Sequence, residues 1–143
     1  MKKDPAWANC KWTTNTLKAV SETEDLYVFW KAGEYVVNRE RLTPQEWKDW
    51  GYRQVWEISS VRANDIHPAM FPLALASRVI KLYTDTGDVV LDPFLGSGTT
   101  AIAAIKLKRQ FIGIEKMKKY YDIADSAIKN AQRESESDLF LSM

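Results

Sequence analysis

Two acidic residues, each directly after a short apolar run, are the side chains of this 143-residue chain best placed to do chemistry. Asp92 follows residues 89–91 and precedes a glycine-containing loop, and Glu115 follows residues 111–114. Apolar, β-branched runs of this length predict buried strands, so the two carboxylates would each end a strand. Glycine lets the loop bend tightly and leaves no side chain between its backbone and a ligand. The pattern predicts a binding site for a nucleotide-type cofactor.

The segment between the two runs completes one βαβ unit and narrows the choice of cofactor. Residues 101–107 have the alanine content of a packed helix, and residues 96–101 fit the Gly-x-Gly-x-x-Ala dinucleotide pattern. A carboxylate at Asp92 would repel a pyrophosphate and favour a cationic ligand. S-adenosylmethionine, which has an ammonium, a sulfonium and no phosphate, is favoured over a dinucleotide, which stays as an alternative. A phosphate-binding P-loop is disfavoured because Thr99 stands where its lysine would follow the last glycine.

Residues 92–100, Asp-Pro-Phe-Leu-Gly-Ser-Gly-Thr-Thr, resemble the cofactor motif of DNA methyltransferases that act on N4 of cytosine or N6 of adenine. The resemblance is to the class in which the catalytic motif precedes the cofactor motif, and it extends over residues 20–130. Residues 42–47, 55–58 and 67–72 are similar to further segments of that family. The resemblance implies an α/β fold, the partial Rossmann-like fold of S-adenosylmethionine-dependent methyltransferases, and an enzyme of restriction-modification type acting on double-stranded DNA.

The resemblance also implies which residues contact the methyl donor. Glu115 would bind the ribose hydroxyls, and His67 would help to close the methionyl side, although a structural role for this histidine is equally open. No metal is implied. The full set of implied cofactor-binding residues is Asp92, Phe94, Gly96, Ser97, Gly98, Thr99, Thr100, Glu115, His67, Pro68 and Phe71.

The catalytic motif of the family, an acidic or polar residue followed by Pro-Pro and an aromatic, is missing from this sequence. Its backbone carbonyl and side chain accept hydrogen bonds from the target amino group, and its aromatic ring stacks on the extruded base. The five prolines, at positions 5, 44, 68, 72 and 93, are never adjacent. The similar stretch at residues 4–7 lacks the second proline and is interpreted as an accidental match. We therefore assign no catalytic residue to this chain.

Basic residues before the cofactor motif are candidates for contacts to DNA phosphates. The net charge of +1 gives no global attraction to DNA, but a nucleic-acid protein can concentrate its basic residues on one surface. Scattered surface charge remains the alternative interpretation. The candidates are Arg39, Arg41, Arg53 and Arg62.

The N-terminal part is distinguished by its aromatic residues, since all six tryptophans lie within the first 56 positions. Residues 26–37 predict a β-hairpin with a turn at 31–34, and residues 44–50 predict a short helix with Thr43 as N-cap and Glu46 completing a capping box. The tryptophans are interpreted as core or interface residues rather than base-stacking platforms. The hairpin and the cofactor strands would not be neighbours in the family's sheet, so the sheet would be incomplete or completed by a partner.

The sequence therefore predicts three regions: a tryptophan-rich hairpin and helix region at 1–58, a cofactor-binding α/β region at 59–132, and a polar tail at 133–143. Within the tail, residues 133–138 are expected to fray, whereas the apolar residues 139–141 could pack on another surface. Within the second region, residues 73–83 carry apolar side chains at helical spacing. A single cysteine allows no intramolecular disulfide, no apolar run is long enough to cross a membrane, and no secretory signal is visible, so the cytoplasm is the expected compartment.

Two functions follow from these predictions. The first is the cofactor-binding part of an amino-group DNA methyltransferase whose catalytic motif comes from a second polypeptide, or which works as a homodimer. The alternative is a catalytically inactive remnant that binds the methyl donor or DNA. The choice between cytosine and adenine as the target stays open.

Overall fold

The computed structural model describes residues 24–33, 38–59, 61 and 71–141, with side chains through 137. The chain forms two compact units, Met1–Val36 and Val37–Met143. In the described part of the first unit, Leu26–Trp30 carries no β-strand, which corrects the first arm of the predicted N-terminal hairpin; the second arm lies outside the described residues. A two-stranded hairpin on its own is marginally stable, and the side chains of Tyr27, Phe29 and Trp30 are exposed here.

In its described part, the second unit contains helices and one short parallel sheet. A single 3₁₀ turn at Arg39–Arg41 precedes the first helix. The elements are α1 (Pro44–Glu46, continuing as a π-helical turn at Trp47–Gly51), α2 (Leu73–Tyr83), β1 (Val89–Asp92), α3 (Thr99–Lys106), β2 (Gln110–Gly113) and α4 (Lys118–Leu141).

The predicted βαβ unit is confirmed. β1 and β2 pair in parallel, with Val90 opposite Phe111 and Asp92 opposite Gly113, and α3 forms the connection between them. Among the described residues the sheet has these two strands alone. Both acidic residues therefore lie at the carboxyl ends of neighbouring strands, where open α/β sheets bind their ligands.

The core lies between the helices and one face of this sheet. Ala76 and Ile80 of α2 pack with Ala103 and Ala104 of α3, and the partly buried Val90 and Phe111 pack against them. Small alanine side chains let α3 approach its neighbours closely. The predicted apolar stripe of α2 is thus buried at its centre.

The start of α1 and the end of α4 show how neighbouring residues determine where a helix begins and ends. At α1, Thr43 Oγ1 accepts a hydrogen bond from the Glu46 amide, and the Thr43 amide donates to Glu46 Oε2, so the predicted capping box is present. At α4, the helix continues to Leu141, so the prediction that residues 133–138 fray was wrong. The region is rich in good helix formers, and Ser137 Oγ donates to the Arg133 carbonyl within the helix.

Candidate functional site

The loop after β1 is held by hydrogen bonds that start at Asp92. Asp92 Oδ1 accepts from the Phe94 amide at 2.9 Å, a local turn that fixes the beginning of the loop. The Leu95 amide donates to the carbonyl of Ile114, just after β2, at 2.9 Å. The loop is therefore tied both to its own strand and to the neighbouring strand.

Gly98 connects this loop to α3 and has a packing role. Its φ of +93° is in the left-handed region, which L side chains rarely adopt. It is buried, and a Cβ atom placed there would lie 3.2 Å from the Ala124 Cβ atom of α4. The glycine thus allows the N-terminus of α3 to approach α4.

Glu115 joins two loops through both of its carboxylate oxygens. Oε2 accepts a hydrogen bond from the Gly96 amide at 2.9 Å, and Oε1 accepts one from the Met117 amide at 2.7 Å. Because each carboxylate oxygen has a second acceptor position, the group can still accept hydrogen bonds from a ligand hydroxyl. Glu115 therefore positions the glycine loop and remains available to the cleft that this loop borders.

The two loops enclose a cleft of about 450 Å³ at the carboxyl ends of β1 and β2. This volume falls within the usual range for small-molecule sites, roughly 300–1,000 Å³. Eight of the residues predicted to bind the cofactor line the cleft: Phe71, Asp92, Phe94, Gly96, Ser97, Thr99, Thr100 and Glu115. Gly98 does not line it, and His67 and Pro68 lie outside the described residues.

Three lining residues were not predicted from the sequence: Leu95, Met117 and Tyr120. Leu95 lies within the recognisable motif, but its apolar side chain carried no chemical signal. Met117 and Tyr120 follow Glu115 by two and five positions, so the rule that ligands bind beyond the carboxyl ends of strands could have suggested them.

The cleft combines negative charge with aromatic surface. Within the described residues, neither Asp92 nor Glu115 has a cationic side chain as partner, so their negative charges are not neutralised by a salt bridge. The Phe94 side chain is 88% exposed and Phe71 is 45% exposed, so both rings are accessible to a ligand. The described part of the chain has no group of three or more potential metal ligands. Such a surface suits a ligand with cationic groups and an apolar or aromatic body.

The arginines predicted to contact DNA are in different environments. Arg41 Nε and Nη2 donate to Asp85 Oδ1 and Oδ2 at 2.9 and 2.7 Å, Nη1 donates to the Leu82 carbonyl, and the side chain is 10% exposed. The Arg41 guanidinium lowers the pKa of Asp85 to about 2. Arg39 and Arg53 are exposed, and Arg62 lies outside the described residues.

A second cleft, of about 370 Å³, lies beside an aromatic cluster around α1. Trp56 Nε1 donates to the Trp50 carbonyl, and the two indole rings meet edge to face. The Arg78 guanidinium of α2 lies 5.5 Å and 5.7 Å from the centroids of these rings. Trp50 is buried at 9% exposure, as expected of a core tryptophan, and Arg78 was not singled out from the sequence.

No helix in the described part of the chain is both long and apolar enough to cross a membrane.

Comparison with known proteins connects this geometry to a family. The chain is 54% identical over 127 residues to the type II methyltransferase M.BglI of Bacillus subtilis, covering 89% of this chain and 36% of that protein. It is 41% identical over 91 residues to the orphan methyltransferase M.BamHII of Bacillus amyloliquefaciens, covering 58% of this chain and 34% of that protein. The chain thus spans about a third of the length of these relatives.

A solved structure shares the fold. It is that of a Thermus thermophilus protein assigned as a DNA modification methylase and complexed with S-adenosyl-L-methionine. The TM-score is 0.53 at 34% identity, covering 71% of this chain and 40% of that one. The family model described as DNA methylase, for N6 and N4 methyltransferases, matches residues 1–126. This chain belongs to the N6/N4 DNA methylase family.

Proposed function

We propose that this chain is the S-adenosylmethionine-binding part of a DNA methyltransferase that acts on the exocyclic amino group of cytosine or adenine. The observation that carries the proposal is the cleft at the carboxyl ends of β1 and β2, where Asp92 and Glu115 lie without a cationic side chain as partner in the described residues. Their negative charge is compatible with the ammonium and sulfonium of the methyl donor and repels the pyrophosphate of a dinucleotide.

The lining residues divide into groups that fit the parts of this ligand. Asp92 would hold the cationic methionyl part near the glycine loop, and Glu115 would accept hydrogen bonds from the ribose hydroxyls. The rings of Phe71, Phe94 and Tyr120 supply surface for the apolar parts. When bound, the cofactor supplies the methyl group; His67 and Pro68 remain candidates for closing the methionyl side. The Thermus structure, which holds S-adenosyl-L-methionine, supports this assignment by homology.

The substrate of the complete enzyme would be double-stranded DNA, within a restriction-modification system in the cytoplasm. The similarity to M.BglI, a type II methyltransferase, supports this view. Arg39 and Arg53 are exposed and remain candidates for phosphate contacts, as does Arg62, whereas the Arg41 guanidinium is held by Asp85 and the Leu82 carbonyl. The catalytic Pro-Pro-aromatic motif would come from a second polypeptide or from assembly of the complete enzyme.

The test is calorimetric titration of the purified 143-residue chain with S-adenosylmethionine. Asp92→Asn keeps an acceptor oxygen for the Phe94 amide and removes the charge, whereas Asp92→Ala removes both. If the charge binds the cationic ligand, Asp92→Asn weakens binding by roughly tenfold, or about 1.4 kcal/mol, and Asp92→Ala weakens it at least as much. Asp122→Asn on the exposed surface of α4, paired with Lys118, is the matched control and leaves affinity unchanged.

Two results would contradict the proposal. Folded chain that does not bind S-adenosylmethionine would favour a remnant without a working cofactor site. Displacement of S-adenosylmethionine by NAD at comparable concentration would favour the dinucleotide alternative.

A further inference from the structure

The second cleft, of about 370 Å³, is lined by two tryptophans and by charged residues of both signs. The tryptophans are Trp50 and Trp56, and the charged residues are Asp49, Arg53, Glu57 and Arg78. We call this site the aromatic cleft. It shares no lining residue with the cleft at the carboxyl ends of β1 and β2, so a ligand that bound here would be separate from the cofactor.

The charges of the aromatic cleft balance, which favours a neutral polar ligand. Two arginines and two carboxylates line it, and in the part of the chain that the structure describes none of the four forms a salt bridge. The carboxylates would repel a phosphate inside the cleft, and the arginines would repel a cation. A neutral molecule with acceptors on one edge and donors on another can hydrogen-bond to both kinds of group.

Arg78 presents its hydrogen-bond donors from a fixed position. Its guanidinium lies 5.5 Å and 5.7 Å from the ring centroids of Trp50 and Trp56, close enough for a favourable cation–π contact. The indole of Trp56 is itself fixed by the hydrogen bond from Nε1 to the Trp50 carbonyl. Because no carboxylate of the described residues pairs with Arg78, its N–H groups remain available to a ligand.

Glu57 supplies the complementary acceptors. It is exposed, it follows Trp56 directly, and it has no cationic partner among the residues that the structure describes. The other carboxylate of the cleft, Asp49, already accepts a hydrogen bond from Gln45 Nε2 at 2.7 Å. Glu57 is therefore the carboxylate better placed to accept hydrogen bonds from a ligand.

Guanine is the nucleobase that matches an arginine and a carboxylate at the same time. Its O6 and N7 are adjacent acceptors, to which arginine donates two hydrogen bonds. Its N1–H and 2-amino groups are adjacent donors, from which a carboxylate accepts two. No other standard base has both a pair of adjacent acceptors and a pair of adjacent donors. Bases also stack on aromatic side chains, which this cleft provides.

We propose that the aromatic cleft is a binding site for guanine, as a free nucleotide or within a DNA strand. Arg78 donates to O6 and N7, Glu57 accepts from N1–H and the 2-amino group, and the base stacks on the indole of Trp56. Arg53, which is exposed and lines the same cleft, is left for the phosphate of the nucleotide. This site goes beyond the proposed function and does not require the methyl donor to be bound.

Calorimetric titration of the purified 143-residue chain with GMP, AMP and CMP tests the proposal, because these ligands differ only in the base. GMP should bind at least tenfold more tightly than AMP or CMP. IMP, which lacks the 2-amino group, and 7-deaza-GMP, which lacks N7, should each bind about tenfold more weakly than GMP, since each leaves a charged group of the cleft without one hydrogen bond.

Two variants connect each lost hydrogen bond to its residue. In Glu57→Gln the difference in affinity between GMP and IMP should shrink, and in Arg78→Met the difference between GMP and 7-deaza-GMP should shrink. Glu40→Gln and Arg133→Met, at exposed positions outside the cleft, are the matched controls and should keep both differences. Far-ultraviolet circular dichroism compares the folds, and the wild-type titrations decide the proposal if Arg78→Met does not fold.

A competition experiment identifies the source of the guanine. A thymine oligodeoxynucleotide with one guanine that displaces GMP, when the same strand with one adenine does not, would show that the cleft accepts guanine from DNA. GMP binding that neither strand displaces would assign the cleft to a free guanine nucleotide.

Three results would overturn the proposal. The first is binding of GMP, AMP and CMP with equal affinity, or no binding of any of them by folded chain. The second is displacement of GMP by S-adenosylmethionine, which would place the nucleotide in the cofactor cleft. The third is an unchanged difference between GMP and IMP in Glu57→Gln. Failure to bind S-adenosylmethionine, with selectivity for GMP intact, would overturn the proposed function alone.

Discussion

The residues around the cleft at the carboxyl ends of β1 and β2 hold the loops in place and remain accessible to a ligand. Glu115 accepts hydrogen bonds from the amides of Gly96 and Met117, so it fixes the loops on both sides of the cleft before any ligand arrives. A ribose that bound to this carboxylate would meet an acceptor whose orientation is already set, and less entropy would be lost on binding. Preorganisation by backbone amides thus explains how one acidic residue can be part of both the fold and the site.

Comparing Gly98 with Gly87 separates the cost of backbone strain from the cost of crowding a neighbouring side chain. Gly87 has nearly the same φ, +91° against +93°, but a Cβ atom there would meet nothing within 4 Å, whereas one on Gly98 would crowd Ala124. We expect Gly87→Ala to lower the free energy of unfolding by about 1–2 kcal/mol through its left-handed backbone. Gly98→Ala should lower it by at least about 1 kcal/mol more, through overpacking between α3 and α4.

Urea denaturation of the two variants and the wild-type chain measures the free energy of unfolding lost to backbone strain and the further loss caused by overpacking. Equal losses of stability in the two variants would contradict the prediction and would mean that α4 moves away from the added methyl group without cost. Gly98 also shows that a glycine within a cofactor motif can be required by the packing of the helix that follows, since it does not line the cleft and lies against Ala124.

At the scale of elements, a charged pair joins the Arg39–Arg41 turn to the end of α2. Arg41 makes two hydrogen bonds to Asp85 and a third to the Leu82 carbonyl, and Asn38 Nδ2 donates to Asp85 Oδ1 at 2.8 Å. The hydrogen bonds and charge of Arg41 lower the pKa of Asp85 from 3.8 to about 2. Because the pKa is depressed in the folded state, this pair stabilises the fold fully above about pH 4 and progressively less as pH falls toward 2.

We expect the urea midpoint of the wild-type chain to fall more between about pH 6 and about pH 2.5 than that of Asp85→Asn, which has no carboxylate to protonate. Glu57→Gln, a change at an exposed carboxylate, serves as the control and should follow the wild-type profile. If the urea midpoints of wild type and Asp85→Asn fall by the same amount, the Arg41–Asp85 pair contributes nothing to the pH dependence of stability.

The elements that the sequence predicted correctly are those specified by local chemistry. The strands beside Asp92 and Glu115, the helix between them and the capping box at Thr43 each follow from residues within a few positions of one another. The strand predicted at Leu26–Trp30 is absent, because a strand requires a paired partner that local propensity cannot supply. Met117 and Tyr120 were missed because the sequence prediction ended at Glu115, whereas the cleft extends to the start of α4.

At the scale of the whole molecule, the residues proposed to hold a methyl donor are brought together at one cleft, whereas the sequence contains no Pro-Pro-aromatic motif. The cleft, the loop after β1 and Glu115 are assembled, while the paired Leu91 and Ile112 are exposed on one side of the sheet. Both features belong to the same two strands.

This division leads to a prediction about turnover. The purified chain, incubated with S-adenosylmethionine labelled in its methyl group and with unmethylated plasmid DNA, should transfer no label above background, because its five prolines are never adjacent and the Pro-Pro-aromatic motif is absent. Transfer by the chain alone would contradict the prediction, since an amino group would then be methylated without the motif that binds it.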